Sequence, residues 1–450
     1  MRPAGARRDV SRVAVIGAGI AGLTAAFRLS ARHDVTVYES ELRPGGKIHS
    51  QRIDGYVFDW GPNGFLSGAT ELQELLGELG LADALVTASP AAAKRFIFWR
   101  GTLHALPSSP PQLLTMSLLS PLGKLRALRE PWVRPAAAGA GDESVAQFIE
   151  RRFGAEVAAR IVAPALLGIS GGDAASTSLA AAFPRLGEFE RGHGSVIRGM
   201  LKARAKPGRL ASFGAGMQQL IDRLAERLDG RLRLGSAVEA LTPLAPGWRV
   251  RASTQDVEFD RVVVATPAGA AAGLTAAWDP ELAADLCRIT YAAMRVVGIA
   301  FRAQDVPLPL DGFGFLVARD QGVRILGALY TSTIFPAQAP AGVAYLRVFL
   351  GGAVDPEAAG LDADALGMLV RHDLAATLGI TAPPVAFHEV RWERAIPQYA
   401  VGHAELVQAI EARAGRYPGF VLTGNAYHGF GLGDTVRNAC AAASRAGSAD

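Results

Sequence analysis

Apolar positions along the chain follow two periods. Val13–Ile16 is a continuous β-branched run behind a polar tail, which predicts a buried strand. Ile20–Leu29 reads at helical spacing, and Asp34–Glu39 (DVTVYE) alternates and ends in an acid, a second strand. The opening segment is therefore β–turn–α–β. Thr70–Leu81 sets Leu72, Leu75, Leu76 and Leu79 on one helical face, with Thr70 and Gln73 at capping-box spacing. Met217–Leu228 predicts a helix, Trp248–Ala252 and Val257–Phe259 a hairpin, and Asp260–Thr266 an apolar strand stopped by Pro267. Val296–Phe301, Gly314–Val317, Arg324–Leu329 and Ala344–Leu350 predict an antiparallel sheet, and Ala363–Thr377 a helix. Phe420–Leu422 is a last strand, before a glycine-spaced loop and a helix from Asp434.

Strand, glycine loop and helix thus recur at both ends of the chain, as in a discontinuous α/β nucleotide domain. Residues 91–209 differ in character: prolines interrupt Leu-rich pieces such as Leu113–Leu119, which reads as a helical insertion. The expected division is 10–90, 91–209, 210–290, 291–390 and 391–450, the first, third and last forming one domain and 291–390 a sheet domain.

Composition narrows the classes. With 450 residues, 50% hydrophobic and 20% charged, the chain is globular. Glycine is 51 of 450, an excess that suggests tight turns and close backbone approach to a ligand. The net charge of +4 hides an asymmetry: residues 90–210 hold 17 Lys/Arg against 8 Asp/Glu, a balance of +9. That basic segment is either a solvated face or a surface for an anionic membrane; no nucleic-acid partner is expected. Cys287 and Cys440 cannot make a disulfide framework and read as buried free thiols of a reducing compartment. Scattered histidines (His49, His104, His193, His372) show no zinc spacing, so no metal is expected. Arg7 and Arg8 before the uncharged run Val13–Phe27 imitate a signal peptide, but the run is shorter than a spanning helix and carries Gly17, Gly19 and Gly22.

Gly17-Ala18-Gly19-Ile20-Ala21-Gly22 matches G-x-G-x-x-G between a strand and a helix, the context that gives the pattern weight. Gly17 permits the turn, Gly19 leaves room for a pyrophosphate, and Gly22 allows close helix–strand packing. The pyrophosphate would meet the helix N-terminus. Glu39, ending the second strand, suits ribose hydroxyls. A second loop (Gly45-Gly46-Lys47, then Gly61-Pro62-Asn63-Gly64) and a third (Gly424-Asn425 through Phe430-Gly431-Leu432-Gly433-Asp434) suit a cofactor lying extended along the protein, as FAD does. The last helix would aim its N–H groups at the flavin edge that gains charge on reduction.

The pieces VAVIGAGIAGLTAAFRL, YESELRPGGKIHS, GPNGFL, KRFIFWRG, GISGGD, LGALYTSTIFP, IPQYAVGH and GNAYHGFGLGD, in order over nearly the whole chain, resemble the protoporphyrinogen oxidases, FAD enzymes within the amine-oxidase-like flavoproteins. The resemblance implies a Rossmann-like FAD-binding domain, an α+β substrate domain and an inserted helical region that attaches to a membrane face. It implies FAD contacts from Ser40, Val238 and Trp392 besides the glycine loops and Glu39. It places Arg95 as a propionate-binding guanidinium, with Arg100 as the local rival. Leu329 and Phe349 would enclose a pyrrole ring, and Gly168, in a GISGG turn, would form a wall. Leu329 and Phe349 read equally as plain strand core, and Asn63 as either a substrate-orienting amide or a turn residue. The partners implied are a porphyrinogen, O2, an anionic membrane face with Leu113–Leu119, Leu122, Leu125 and Leu128 toward it, a second copy of the chain and a chelatase that takes the product. The place expected is the cytoplasm or the cytoplasmic side of a membrane.

The implied reaction is the six-electron oxidation of protoporphyrinogen IX in three flavin cycles, with O2 giving H2O2. Coproporphyrinogen III, with four carboxylates, is the alternative, and a site for it should show additional Arg or Lys. An amine oxidase or carotenoid desaturase remains open through Tyr427 and Phe430 as an aromatic pair, as does a non-catalytic porphyrin carrier. Gly168–Gly172 also matches the hydrolase G-x-S-x-G, but no strand is expected before Ser170.

Overall fold

A computed structural model describes residues 10–448 except 108–111, 113–114, 138, 140, 204–207 and 254. The opening unit forms as the periodicity predicts: strand Arg12–Ile16, helix Ile20–Leu29, strand Asp34–Tyr38. These strands join Leu232–Arg233, Arg261–Val264 and Phe420–Leu422 in a five-stranded parallel sheet, in the spatial order 232, 34, 12, 261, 420. Val13 and Val15 pack under helices Ile20–Leu29, Gln218–Arg227 and Leu432–Gly447; Ala14 and Ile16 pack on the opposite face against Trp248, Leu282 and Ile410. Because both faces are covered, the strands are continuous apolar runs.

The second layer is a seven-stranded sheet, ordered Ala386–Pro397, Tyr291–Arg302, Val343–Gly351, Gly327–Leu329, Gly314–Val317, Arg95–Trp99, Thr102–Ala105. Two expectations change here. The first part of the 91–209 insertion is not helical: Arg95–Trp99 and Thr102–Ala105 form a hairpin built into this sheet. The sheet is mixed, because Gly314–Val317 pairs in parallel with Arg95–Trp99. The RFIFW run, short, continuous and rich in aromatic and β-branched residues, is strand-forming by its own composition. Strand Gly327–Leu329 is also shorter than the expected Arg324–Leu329, whose first residues are held as loop by Asp373 accepting from the Arg324 and Ile325 N–H groups at 2.7 and 3.0 Å. Helix Ala363–Leu378 covers one sheet face through Leu366, Val370, Leu374 and Leu378.

The rest of the insertion is helical, with its own core of Val145, Phe148, Ile149, Leu166 and Val196. Arg152 and Glu130, both wholly buried, pair there; Glu130 also accepts from Ser195 Oγ at 2.5 Å and the Val196 N–H at 2.9 Å, so the charge is met on every side. A π-turn at Ala158–Val162 precedes Pro164, which lacks the N–H an α-helix would need. Ser170 ends helix Ala163–Ser170 and no strand precedes it, so the hydrolase elbow is absent.

Three smaller expectations fail. Thr70 does not cap its helix: Ala69 holds that position, and Gln73 turns back to the Ser67 carbonyl. Cys287 and Cys440 are free, but Cys287 is exposed and Cys440 half-buried rather than buried. In Leu113–Leu119, Leu113 and Leu114 lie outside the described residues, while Leu118 and Leu119 are core; Leu122, Leu125 and Leu128 are exposed, as is Trp132. Among the described residues, no helix is long and apolar enough to cross a membrane, and no cluster of His, Cys, Asp and Glu could hold a metal ion.

Candidate active site: a glycine crevice against a side-chain slot

All five strands of the parallel sheet end on one side, and there the three glycine loops meet. Gly17 follows its strand at φ +103° and donates to the Tyr38 carbonyl at 2.7 Å. A Cβ on Gly22 would lie 1.9 Å from the Gly17 oxygen, so this glycine lets the helix close on the turn. A Cβ on Gly19 would meet nothing within 4 Å: the space over it is open. Gly19 caps helix Ile20–Leu29 with no side chain, leaving the first N–H groups, backed by Ile20 and the buried Ala21, free for an anion. Gly45 bonds to the Ala18 carbonyl at 2.8 Å, and Gly46 lies against Gly19, so the second loop is docked on the first.

The Glu39 carboxylate is buried at the end of its strand. It accepts from the Ala18 N–H at 2.7 Å, the Glu41 N–H at 3.0 Å and Ser40 Oγ at 3.1 Å. Val238 begins the next strand beside it, where the Ser236 N–H reaches the Glu39 carbonyl at 2.7 Å. Further along, Lys47 Nζ lies 4.4 Å from the centroid of Trp392, whose indole N–H donates to the Trp60 carbonyl at 2.8 Å. Burial, with Arg394 and Arg43 nearby, lowers the Lys47 ammonium to about 8. Gly61 and Gly64 allow backbone contact with Lys47 and Ala211; Pro62 between them is exposed. Gly424 sits at φ +130° with open space where a Cβ would point. The last helix starts at Leu432 with Gly431 as an uncapped N-terminus; Asp434 pairs with Arg437 at 2.9 Å and backs the 429–431 turn.

The fit to FAD is testable on these residues. The crevice holds open space over Gly19 and Gly424 and two helix N-termini without side-chain caps. Its rim includes buried polar atoms with no protein partner: Thr266 Oγ1, Thr423 Oγ1 and Asn63 Nδ2. Buried donors and acceptors of this kind are normally met, so the set suits an extended, polar ligand.

The seven-stranded sheet supplies the other wall. Its face away from helix Ala363–Leu378 carries Phe349 and Arg347, then Leu329, then Gly314 and Leu316, then Arg95, on four adjacent strands. Arg95 is exposed, and its guanidinium lies 5.1 Å from the Phe313 ring. Arg100 stacks on Trp99 at 4.3 Å, at the far turn of the hairpin, which removes it as a rival. Gly168 closes this face from the helical region: a Cβ there would stand 2.4 Å from Leu316 Cδ2. The structure thus puts Arg95, Leu329 and Phe349 on one sheet face and packs Gly168 against Leu316 of that face. It separates the proposed aromatic pair: Tyr427 is buried in the core under the parallel sheet, while Phe430 packs on Tyr399 at 5.3 Å.

Four residues of the junction were missed. Tyr399 donates to the Asn425 carbonyl at 2.7 Å and stacks on His403 at 4.1 Å; burial lowers the His403 imidazole to about 4. Asp59 is buried, accepts from Ser50 Oγ at 2.5 Å and the Met217 N–H at 2.9 Å, and is raised by that burial. Arg347 is buried too and donates to the Gly61 carbonyl at 2.7 Å. A lone charge inside an apolar run (VAYLRVFL) was the available signal for Arg347.

The chain's relatives agree with this geometry. Residues 20–446 match the family model described as flavin containing amine oxidoreductase. The chain is 31% identical to protoporphyrinogen oxidase 2 of Arabidopsis thaliana (96% of this chain, 93% of that one). It is 30% identical to coproporphyrinogen III oxidase of Bacillus subtilis (96% and 97%). A crystal structure from Exiguobacterium sp. 255-15, provisionally assigned as a protoporphyrinogen oxidase, superposes with a TM-score of 0.85 at 26% identity (97% and 98%). Open space over Gly19 and Gly424, two uncapped helix ends and a family match over residues 20–446 converge: the chain belongs to the flavin-containing amine oxidoreductases, and its cofactor is FAD.

Proposed function

We propose that this protein is a porphyrinogen oxidase of haem synthesis, and that it removes six electrons from the macrocycle in three rounds. The observation that supports the reading is one sheet face with an exposed guanidinium, Arg95, at its outer edge and the apolar Leu329 and Phe349 further in. FAD supplies the two-electron acceptor, and O2 returns it to the oxidised form with release of H2O2. The chain's own residues do the rest. Arg95 grips a propionate at the rim. Leu329 and Phe349 enclose a pyrrole ring and exclude water from it. Gly168 lets the helical region close on Leu316 and wall that face. Asn63, with its amide N–H buried and unpartnered, orients the macrocycle by a hydrogen bond. Each round takes two hydrogens from the macrocycle, one as a hydride that the bound cofactor would accept and one as a proton released to solvent.

Arg95 taken alone would suit protoporphyrinogen IX, whose two propionates lie on one edge. Coproporphyrinogen III is the second reading, and a specific observation favours it: another cation, Arg347, lies deeper in the same slot. The test is a rate comparison of the two substrates in air with flavin-loaded protein, read by porphyrin fluorescence. Turnover of either supports the class; turnover of neither, with FAD bound, refutes it.

The exposed Leu122, Leu125 and Leu128, on a helix that also carries Lys124 and Arg126, support peripheral attachment to an anionic membrane.

A further inference from the structure

Strand register places Arg347 opposite Leu329, Leu329 opposite Gly314, and Gly314 opposite Arg95. Residues paired across a sheet share a face, so these four make one row. Neighbouring strands lie ~4.8 Å apart, so the two arginines stand at opposite ends of a row about 14 Å long. Between them are an aliphatic side chain and a glycine that adds none. The face is the one that carries Phe349, two residues beyond Arg347 on the same strand, and the Arg347 guanidinium lies 5.3 Å from that ring.

The two ends differ. Arg95 is exposed, whereas Arg347 is 2% exposed. Of the Arg347 nitrogens, Nη2 donates to Gly61, while Nε and Nη1 are buried with no partner. Asp59 is an acid close enough to act on this charge, but its oxygens already accept from Ser50, Met217 and Gln338, and no ion pair forms among the described residues. A guanidinium is a planar fork that fits a carboxylate with two parallel bonds, and the Nη1–Nη2 edge of this one keeps N–H groups that no protein atom uses.

We infer that Arg347 is a second carboxylate anchor, and that with Arg95 it selects porphyrinogens bearing carboxylates at opposite ends of the macrocycle. This rests on the proposed porphyrinogen oxidase activity and names its substrate class. Coproporphyrinogen III has a propionate on every ring and meets both arginines at once. Protoporphyrinogen IX has both propionates on one edge; with Arg95 engaged, it presents vinyl groups to Arg347 and leaves a buried cation unmet, which a site of this kind penalises strongly. Phe349 lines the way to Arg347, so the ring that stacks on the substrate also gates the anchor.

The experiment compares flavin-loaded wild-type protein with Arg347→Met and Arg347→Lys, using both porphyrinogens and equilibrium binding of the product porphyrins by flavin-fluorescence quenching. The wild-type protein is expected to favour coproporphyrinogen III at least tenfold in kcat/KM. Arg347→Met should lower that ratio at least tenfold, mainly through KM for coproporphyrinogen, with FAD content unchanged and Arg347→Lys intermediate. If Arg347→Met does not fold, the tetramethyl ester of coproporphyrin III should bind the wild-type protein at least tenfold more weakly than the free acid, while esterifying protoporphyrin IX changes its binding less. A wild-type preference for protoporphyrinogen overturns the inference. So does an equal loss on both substrates, which would make Arg347 a brace for the Gly61 loop, or a loss of FAD affinity with both rates per flavin unchanged. Turnover of neither substrate by the wild-type protein would instead sink the proposed function itself.

Discussion

The cofactor crevice and the proposed substrate slot are built by different means. The crevice works by backbone: Gly17, Gly19, Gly22, Gly46 and Gly424 withhold side chains, and helix ends supply the polar contacts. The slot works by side chains set in register on four strands, from Arg95 to Arg347. A backbone site fails when an atom is added; a side-chain site fails when one is removed.

Adding atoms inside the crevice separates two kinds of failure. Gly22→Val puts a Cβ on the Gly17 carbonyl, 1.9 Å away, and should cost more than about 4 kcal/mol, leaving little folded protein by circular dichroism. Gly19→Val meets no protein atom within 4 Å and should fold, yet come off the column colourless because the new side chain fills the pyrophosphate space. Yellow Gly19→Val protein would show that the cofactor lies elsewhere.

At the junction of the two regions, His403 has its imidazole lowered from 6.5 to about 4 by burial. The unfolded chain therefore binds a proton that the folded protein refuses between those values. Stability from this group is full above pH 6.5 and is lost as pH falls toward 4, by as much as about 3 kcal/mol. Urea unfolding at pH 7 and pH 4.5 measures it; an equal decline in His403→Asn would assign the loss to other groups.

Taking atoms away from the slot should leave the crevice intact. Arg95→Ala is expected to raise KM for the porphyrinogen about 10- to 100-fold, the worth of one charge-assisted bond, with FAD content unchanged. An unchanged KM would remove Arg95 from the slot. The smallest effect on catalysis belongs to the outer helix: Leu122→Glu with Leu125→Glu should abolish co-sedimentation with anionic vesicles while activity on detergent-dispersed substrate stays within about twofold. Unaltered sedimentation would leave these leucines without a membrane role.

The same contrast explains what was legible in the sequence. Glycine spacing between a strand and a helix has one physical reading, so the β–turn–α–β unit appeared with its ends nearly right. The proposed slot draws on residues 95, 168, 314, 329, 347 and 349, which no local pattern joins; the resemblance named four of them. Arg95–Trp99 was absorbed into a helical insertion because the prolines beyond it dominated the segment, although RFIFW is rich in the aromatic and β-branched residues of a strand. Arg347 and His403 escaped because their surroundings, not their spacing, make them unusual: one is a cation in an apolar strand and the other an imidazole stacked beneath a tyrosine.

The parallel sheet draws its fifth strand from Phe420–Leu422, which lies far from the first four along the chain and delivers Gly424 and the Leu432 helix to the crevice. During synthesis, then, the nucleotide fingerprint emerges first but waits for almost everything else. A nascent chain exposes the edge of Arg261–Val264 until the last segment leaves the ribosome, and long-range pairing of this kind is slow. Cofactor capture becomes a late inspection of the product: a chain cut short of residue 420 lacks a wall of its crevice, so the yellow colour of the protein reports that translation ran past that strand.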